Sequence, residues 1–326
     1  MTPRPTVAVV ICAYTEDRWT DLLAAYRSIE GQTVPADEVV VVIDHNPSLL
    51  SRLRAELPQA RIVPNRGSQG LSGARNTGID ATTADVVLFL DDDATADADW
   101  VAAMAAPFSD QDVVGVGGWA EPKWAQPGRP GWFPEPFLWV VGCSYEGLPR
   151  VQADIRNPIG AAMGFRRSAL DLVGGFSGAV GRVGTHPVGC EETELAIRVR
   201  QAAPTSRVVM QPAAIVHHRV SAPRLRVRYY LQRCFWEGVS KAVVAKAVGA
   251  GDALESERAY TTRVLPKAFG RGLAQLLRGR PSGVLQSAAI AAGLVVTVLG
   301  YLRGGISGST NSAAAIARTP AQADAA

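Results

Sequence analysis

Residues 85–93 read DVVLFLDDD: an acid, five large apolar residues, then three carboxylates in a row. An apolar run of that length with polar flanks is expected to form a strand covered on both faces. Working outward, similar runs recur at 6–12 (TVAVVIC), 39–43 (VVVVI) and 60–63 (ARIV), with helix-length segments at 19–30, 47–57 and 70–81 between them. That alternation predicts an α/β fold, a Rossmann-like and mostly parallel sheet flanked by helices, with right-handed crossovers. Ligands of open sheets of this kind gather beyond the carboxyl ends of the strands. Standing there are Ala13-Tyr14-Thr15-Glu16-Asp17, Asp44-His45-Asn46, Asn65-Arg66-Gly67 and Asp91-Asp92-Asp93.

Composition narrows the function classes. With 47% hydrophobic and 19% charged residues among 326, the chain can bury a large core and is neither disordered nor fibrous. Thirty-three Lys+Arg against 30 Asp+Glu leave a net charge of only +3, which argues against a nucleic-acid partner. Cys12, Cys143, Cys190 and Cys234 are scattered and form no CxxC pair, so a zinc knuckle or a disulfide framework is not expected and a reducing cytoplasm fits. The N-terminus shows no basic region, long apolar core or small-residue cleavage site, so secretion is not expected.

Beyond an apolar run at 113–119, residues 120–150 are rich in Pro and Trp and read as a long ordered loop. Trp124, Trp132 and Trp139 stack on a sugar or prenyl chain there, or hold the loop together. A second unit follows: a Gly-rich stretch at 160–164, a helix starting near 167, a helix at 191–201, a short strand near 207–216 and a long helix from 224 to 248. Val284 to Leu302 is almost free of polar residues and, as a helix, would reach about 28 Å, close to the hydrocarbon thickness of a bilayer. It reads either as a membrane-contacting helix or as a buried, Ala/Gly-rich one. Residues 304–326 have little to bury and are expected to be disordered.

Three carboxylates at a strand end repel one another and resist desolvation unless a cation is present. Strand alternation points Asp91 and Asp93 one way and Asp92 the other, so Asp91 and Asp93 are the natural pair for Mg²⁺ or Mn²⁺ beside a diphosphate. The alternative is a solvated acidic turn capping a helix at 98–106. Glu191, Glu192 and Glu194 open another helix, where a helix dipole favours acids and where a base would also stand.

Taken in order, these stretches resemble family 2 glycosyltransferases of the GT-A fold. VAVVICAYTED resembles the opening strand and turn, VVVVIDHNP the strand ending in an Asp that reads uracil, NRGSQGLSGARNTGI the Gly-rich segment ending in ARNxG, and LDDDA the DxD metal motif. NPIGAAMGFRRSALDLVGGF and GCEETELAIR resemble the acceptor-side Gly segment and the acidic catalytic motif; the likeness covers roughly residues 6–245. It departs from the family at Thr15-Glu16, at Asp44-His45-Asn46-Pro47, and at Glu191-Glu192 where Glu-Asp is usual.

The resemblance implies a GT-A domain at 1–250, divided into a nucleotide-binding half (1–119) and an acceptor half (120–250). A helical, membrane-associated extension (251–303) and a tail (304–326) follow. It implies inverting, metal-dependent transfer from a nucleotide-diphosphate sugar, a UDP-sugar, to a glycan or lipid-linked acceptor. Donor binding falls to Ala13, Tyr14, Glu16, Asp44, Gly70, Arg75, Asp91 and Asp92, and metal binding to Asp91, Asp93 and His218. Arg75 is otherwise a helix-surface residue, and His218 a packed core histidine. The second acid of the motif lands on Glu192 as general base, with Glu191 in reserve, and Gly160, Ala161 and Trp236 fall on the acceptor side. Imidazole ligation favours Mn²⁺. Seven Lys/Arg between Arg219 and Lys246 against one acid, Glu237, suit a diphosphate or an anionic membrane surface at the cytoplasmic face. Two rivals are a catalytically silent nucleotide-sugar-binding protein and a haloacid-dehalogenase-like phosphatase, whose DxDx[TV] motif LFLDDDAT matches; that motif should close the first strand, not the fourth.

Overall fold

The computed structural model describes residues 4–125, 128–178, 189–249, 251 and 255–306. Four of the apolar runs pair as expected: β1 (Val7–Ala13), β2 (Glu38–Ile43), β3 (Arg61–Pro64) and β4 (Val86–Asp91) lie parallel in the order β3-β2-β1-β4. Their crossovers are α1 (Trp19–Glu30), α2 (Pro47–Glu56) and α3 (Leu71–Asp80). Local chemistry starts α2, where the Asn46 side chain accepts from Leu49 N and Pro47 takes the first turn.

After β4 the sheet is mixed. β8 (Ala162–Arg166) runs antiparallel between β4 and β6 (Val113–Trp124), and β9 (Arg207–Val220) lies parallel to β6. β5 (Ala94–Ala96) and β7 (Ala153–Asp154) add antiparallel to β9. One apolar layer packs the sheet against α1, α2 and α4 (Trp100–Ala105); the other packs it against α3, α5 (Arg167–Val173) and α6 (Glu191–Ala202). The register that matters for the site aligns Cys12 with Asp91 and Ala94 with His218.

Two expectations are corrected. The strand expected at 207–216 continues to Val220, because residues 216–218 pair with β5 and 215–220 with β6. The segment 120–150 is not irregular throughout: β6 runs to Trp124, and Glu135–Val141 forms a 3₁₀ helix. Trp132, Phe133 and Phe137 lie with ring centroids 5.6, 5.5 and 5.4 Å from that of Tyr230 in α7 (Val227–Val248), so aromatic packing holds this segment together.

α8 (Glu255–Ala259), a π turn (Tyr260–Val264), α9 (Leu265–Leu277) and α10 (Ser282–Ile306) complete the described chain. α10 is long and apolar enough to cross a membrane by length and composition, yet one face is packed. Gly283, Ser287, Ile290, Gly293, Gly300 and Gly304 are buried, while Leu285, Val295, Leu299 and Leu302 are more than half exposed. One face of the helix is therefore buried and the rest is half-buried or exposed, between the two readings of 284–302. Residues 304–306 close α10, and the rest of the expected tail, 307–326, lies outside the described residues.

Small residues let α10 approach α7 at backbone distance: a Cβ added at Gly238 would lie 2.0 Å from Thr297 O, and one at Gly300 2.0 Å from Phe235 O. Helix propensity alone makes Gly→Ala stabilising by about 1 kcal/mol. The clash reverses the sign. Gly238→Ala is expected to destabilise by about 1–3 kcal/mol, read as a lower denaturant midpoint; a raised midpoint would mean that α10 does not pack there in solution.

Candidate active site

Strand pleating separates the three carboxylates at the end of β4. Asp91 keeps its side chain 31% exposed and faces Arg75 Nη2 at 3.6 Å and His218 Nε2 at 4.0 Å. Asp92 is buried, outside the cavity lining, and accepts from Arg18 Nη1 at 2.6 Å. Its Oδ2 has no hydrogen-bond partner among the described residues. Burial and the Asp93 charge push its carboxyl up to about 7 despite Arg18. Asp93 has three cationic neighbours: His218 Nε2 at 3.1 Å, Arg18 Nη1 at 3.2 Å and Arg224 Nη2 at 3.3 Å. Burial opposes its ionisation, but His218 and the two arginines prevail and hold Asp93 well below the carboxylate range. One ligand atom from each of Asp91, Asp93 and His218 fits within a 4.8 Å set. Strand parity selects between the adjacent histidines, since His217 turns outward to Asp97 at 2.9 Å while His218 is buried.

Arg75 joins this cluster to the start of α6. Its guanidinium is 2% exposed, which excludes the helix-surface alternative, and it donates to Glu191 Oε1 at 2.9 Å and to Gly160 O at 3.3 Å. Glu191 is thereby buried and neutralised, with Oε2 lacking a hydrogen-bond partner among the described residues. Glu192 is half-buried and lines the cavity. Burial first, and repulsion from Glu191 second, raise its carboxyl to about 8 against the pull of Arg75. The adjacent acids thus have different tasks: Glu191 fixes Arg75, and Glu192 is available to a ligand.

A cavity of about 750 Å³ brings together Arg75, Asp91, Gly160, Ala161, Glu191, Glu192 and His218. Its far wall comes from the C-terminal helices, through Leu265, Leu294, Val298 and Tyr301. Ala13, Tyr14, Glu16, Asp44 and Gly70 lie outside that lining, grouped at the ends of β1 and β2. Asp44 N donates to Ala13 O at 2.7 Å, and Asp44 accepts from Asn65 Nδ2 at 2.6 Å and Gly70 N at 2.9 Å. Glu16 pairs with Arg52 at 3.3 Å. Trp236 does not line the cavity. It packs edge-on to Phe235, and the cavity face of α7 is instead Arg233, Glu237 and Lys241. Of the stretch 183–190 that leads into Glu191, residues 183–188 lie outside the described residues.

Sequence reasoning missed Arg18, Arg156 and Glu257. Arg18 follows the first-strand turn, and its one local signal is a position beyond a strand end; Arg156 and Glu257 carry none.

The family model for glycosyl transferase family 2 matches residues 8–174, from β1 to the end of α5. The chain belongs to glycosyl transferase family 2. A curated relative in Haloferax volcanii, a glucosyl-dolichyl phosphate glucuronosyltransferase, is 32% identical over 73% of this chain and 77% of its own length. The succinoglycan biosynthesis protein ExoM of Rhizobium meliloti is 27% identical over 71% of this chain and 72% of its own. A solved mannosyltransferase from Pyrobaculum calidifontis, in complex with GDP-Man and Mn²⁺, superposes with a TM-score of 0.59 at 20% identity, covering 92% of this chain and 88% of that one. The glycosyltransferase therefore has the GT-A fold, with a C-terminal helical region.

Proposed function

We propose that this glycosyltransferase moves a sugar from a nucleoside-diphosphate donor, UDP-linked, to a hydroxyl of a lipid-linked glycan in one inverting displacement, at the cytoplasmic face of a membrane. The observation that carries it is one cavity lined by Asp91 and His218, two members of the Asp91–Asp93–His218 set, by Glu192 with its raised carboxyl, and by an apolar wall from α9 and α10. Two carboxylates and an imidazole fit a divalent cation, with the imidazole favouring Mn²⁺ over Mg²⁺. When bound, such an ion neutralises charge on a departing diphosphate.

The chain's own groups supply the rest. Arg18 and Arg224 hold Asp93 ionised in a buried position. Arg75, locked between Glu191 and Asp91, keeps the two acidic motifs in register. Glu192 accepts the proton of the incoming hydroxyl at its carboxylate. The names of the Haloferax and Pyrobaculum relatives support a lipid-phosphate-linked acceptor and a nucleotide-sugar donor with Mn²⁺. The exposed Leu273, Leu276, Leu285, Leu299 and Leu302 support a membrane surface.

Mass spectrometry after incubation with lipid extract, mixed nucleotide sugars and Mn²⁺ tests the reading. An acceptor heavier by one sugar residue is expected, and its formation should fall at least about a hundredfold in excess chelator. Turnover that is equal with chelator overturns the metal assignment. Nucleotide binding without any product favours the silent alternative.

A further inference from the structure

We propose that Arg156 and Lys241 form a subsite for a phosphoryl group on the acceptor, and that the Glu257 carboxylate occupies this subsite until the acceptor displaces it. This deepens the lipid-linked reading above and rests on it.

Five charged side chains, Arg156, Arg233, Glu237, Lys241 and Glu257, also line the cavity. Glu257 meets Arg156 two-pronged, Oε2 to Nη1 at 2.5 Å and Oε1 to Nη2 at 2.9 Å, and Oε1 also accepts from Lys241 Nζ at 2.5 Å. A planar guanidinium beside an ammonium is the donor set that binds phosphate oxygens as readily as carboxylate oxygens. Among the described residues, the cations Arg156, Arg233 and Lys241 and the carboxylates Glu237 and Glu257 share this part of the cavity. Burial alone would push the Glu257 carboxyl up, but Lys241 and Arg156 outweigh it and hold it down at about 2, so the carboxylate is anionic at working pH.

The origins of the partners differ. Arg156 lies between β7 and β8 and Lys241 on α7, whereas Glu257 arrives on α8, a five-residue helix continued by a π turn. Irregular helical turns of that kind occur frequently at functional sites. The subsite also adjoins the proposed base: Cys190, two residues before Glu192, puts Sγ 3.5 Å from Glu237 Oε1, and Glu237 Oε1 lies 3.1 Å from Lys241 Nζ. Leu265, Leu294 and Val298 line the same cavity. A ligand with an anionic head on Arg156 and Lys241 and an apolar tail along α9 and α10 matches this layout.

Titration calorimetry of the full chain in chelator, without sugar nucleotide, tests the subsite with octyl phosphate, octanol and inorganic phosphate. A carboxylate seated about nine-tenths of the time raises the apparent Kd about tenfold. Glu257→Gln is therefore expected to bind octyl phosphate about tenfold more tightly than wild type, and Lys241→Met at least about tenfold more weakly, with octanol unchanged by either. Glu257→Gln binding no more tightly than wild type, while melting normally, overturns the proposal. Inorganic phosphate matching octyl phosphate overturns the acceptor assignment.

Should Glu257→Gln fail to fold, wild-type hydrogen exchange decides. Octyl phosphate is expected to speed exchange at 255–264; unchanged or slower exchange overturns displacement. Because no transfer is measured, failure here leaves the glycosyltransferase reading standing.

Discussion

Glu192→Gln is expected to lower kcat by at least about a thousandfold while leaving the donor Kd within about twofold of wild type, since a general base contributes roughly 10²–10⁴ in rate and little to ground-state binding. Glutamine keeps the size and polarity of the side chain and loses only proton acceptance. In the wild type, burial and Glu191 hold the carboxyl up at about 8, so the rate should climb as pH rises toward 8 and not level off near the ordinary carboxylate range. Stability has the opposite slope. A folded-state value raised above the unfolded one contributes stability that is fully present below the unfolded value of about 4.5 and is lost as pH rises through about 8. Glu192→Gln should therefore melt higher than wild type at pH 8–9 and alike at pH 4, which differential scanning across pH would show. A variant that turns over normally would falsify the assignment of Glu192.

The second large effect separates the two aspartates proposed to hold the ion. Asp91→Asn and Asp93→Asn should each weaken Mn²⁺-dependent donor binding by about a hundredfold or more, as expected for loss of a charged ligand. Their stabilities should differ. Asp91 is nearly a third exposed with one arginine at 3.6 Å, so its amide variant should melt close to wild type. Asp93 is buried among Arg18, Arg224 and His218, and removing its charge leaves three cationic groups without their shared counter-ion. Breaking such a buried cluster costs about 3–5 kcal/mol. Calorimetric binding with and without Mn²⁺, alongside thermal melts, distinguishes the two. Wild-type donor affinity that is the same in chelator as with Mn²⁺ would remove the metal from the mechanism.

His218 shows how far local pattern reaches. Alternation along β9 and pairing to β5 are short-range rules, and they turn His218 inward and His217 outward. Trp236 shows the limit. On a helix with apolar residues on more than one side, position alone did not say which face meets the cavity, and packing against α10 at Gly238 turned Arg233, Glu237 and Lys241 there instead.

By itself the amino-acid order determined the β-branched runs, their parallel pairing through β4, and the acidic motifs that mark a family 2 glycosyltransferase, because each is written in neighbours a few positions apart. Only the tertiary structure decided that Arg75 neutralises Glu191 and leaves Glu192 open, that Arg18 supports Asp92 and Asp93, and that the C-terminal helices wall the cavity. The reason is range: Arg75 and Glu191 stand 116 residues apart and Arg156 and Glu257 stand 101 apart, so their meeting depends on how whole layers pack.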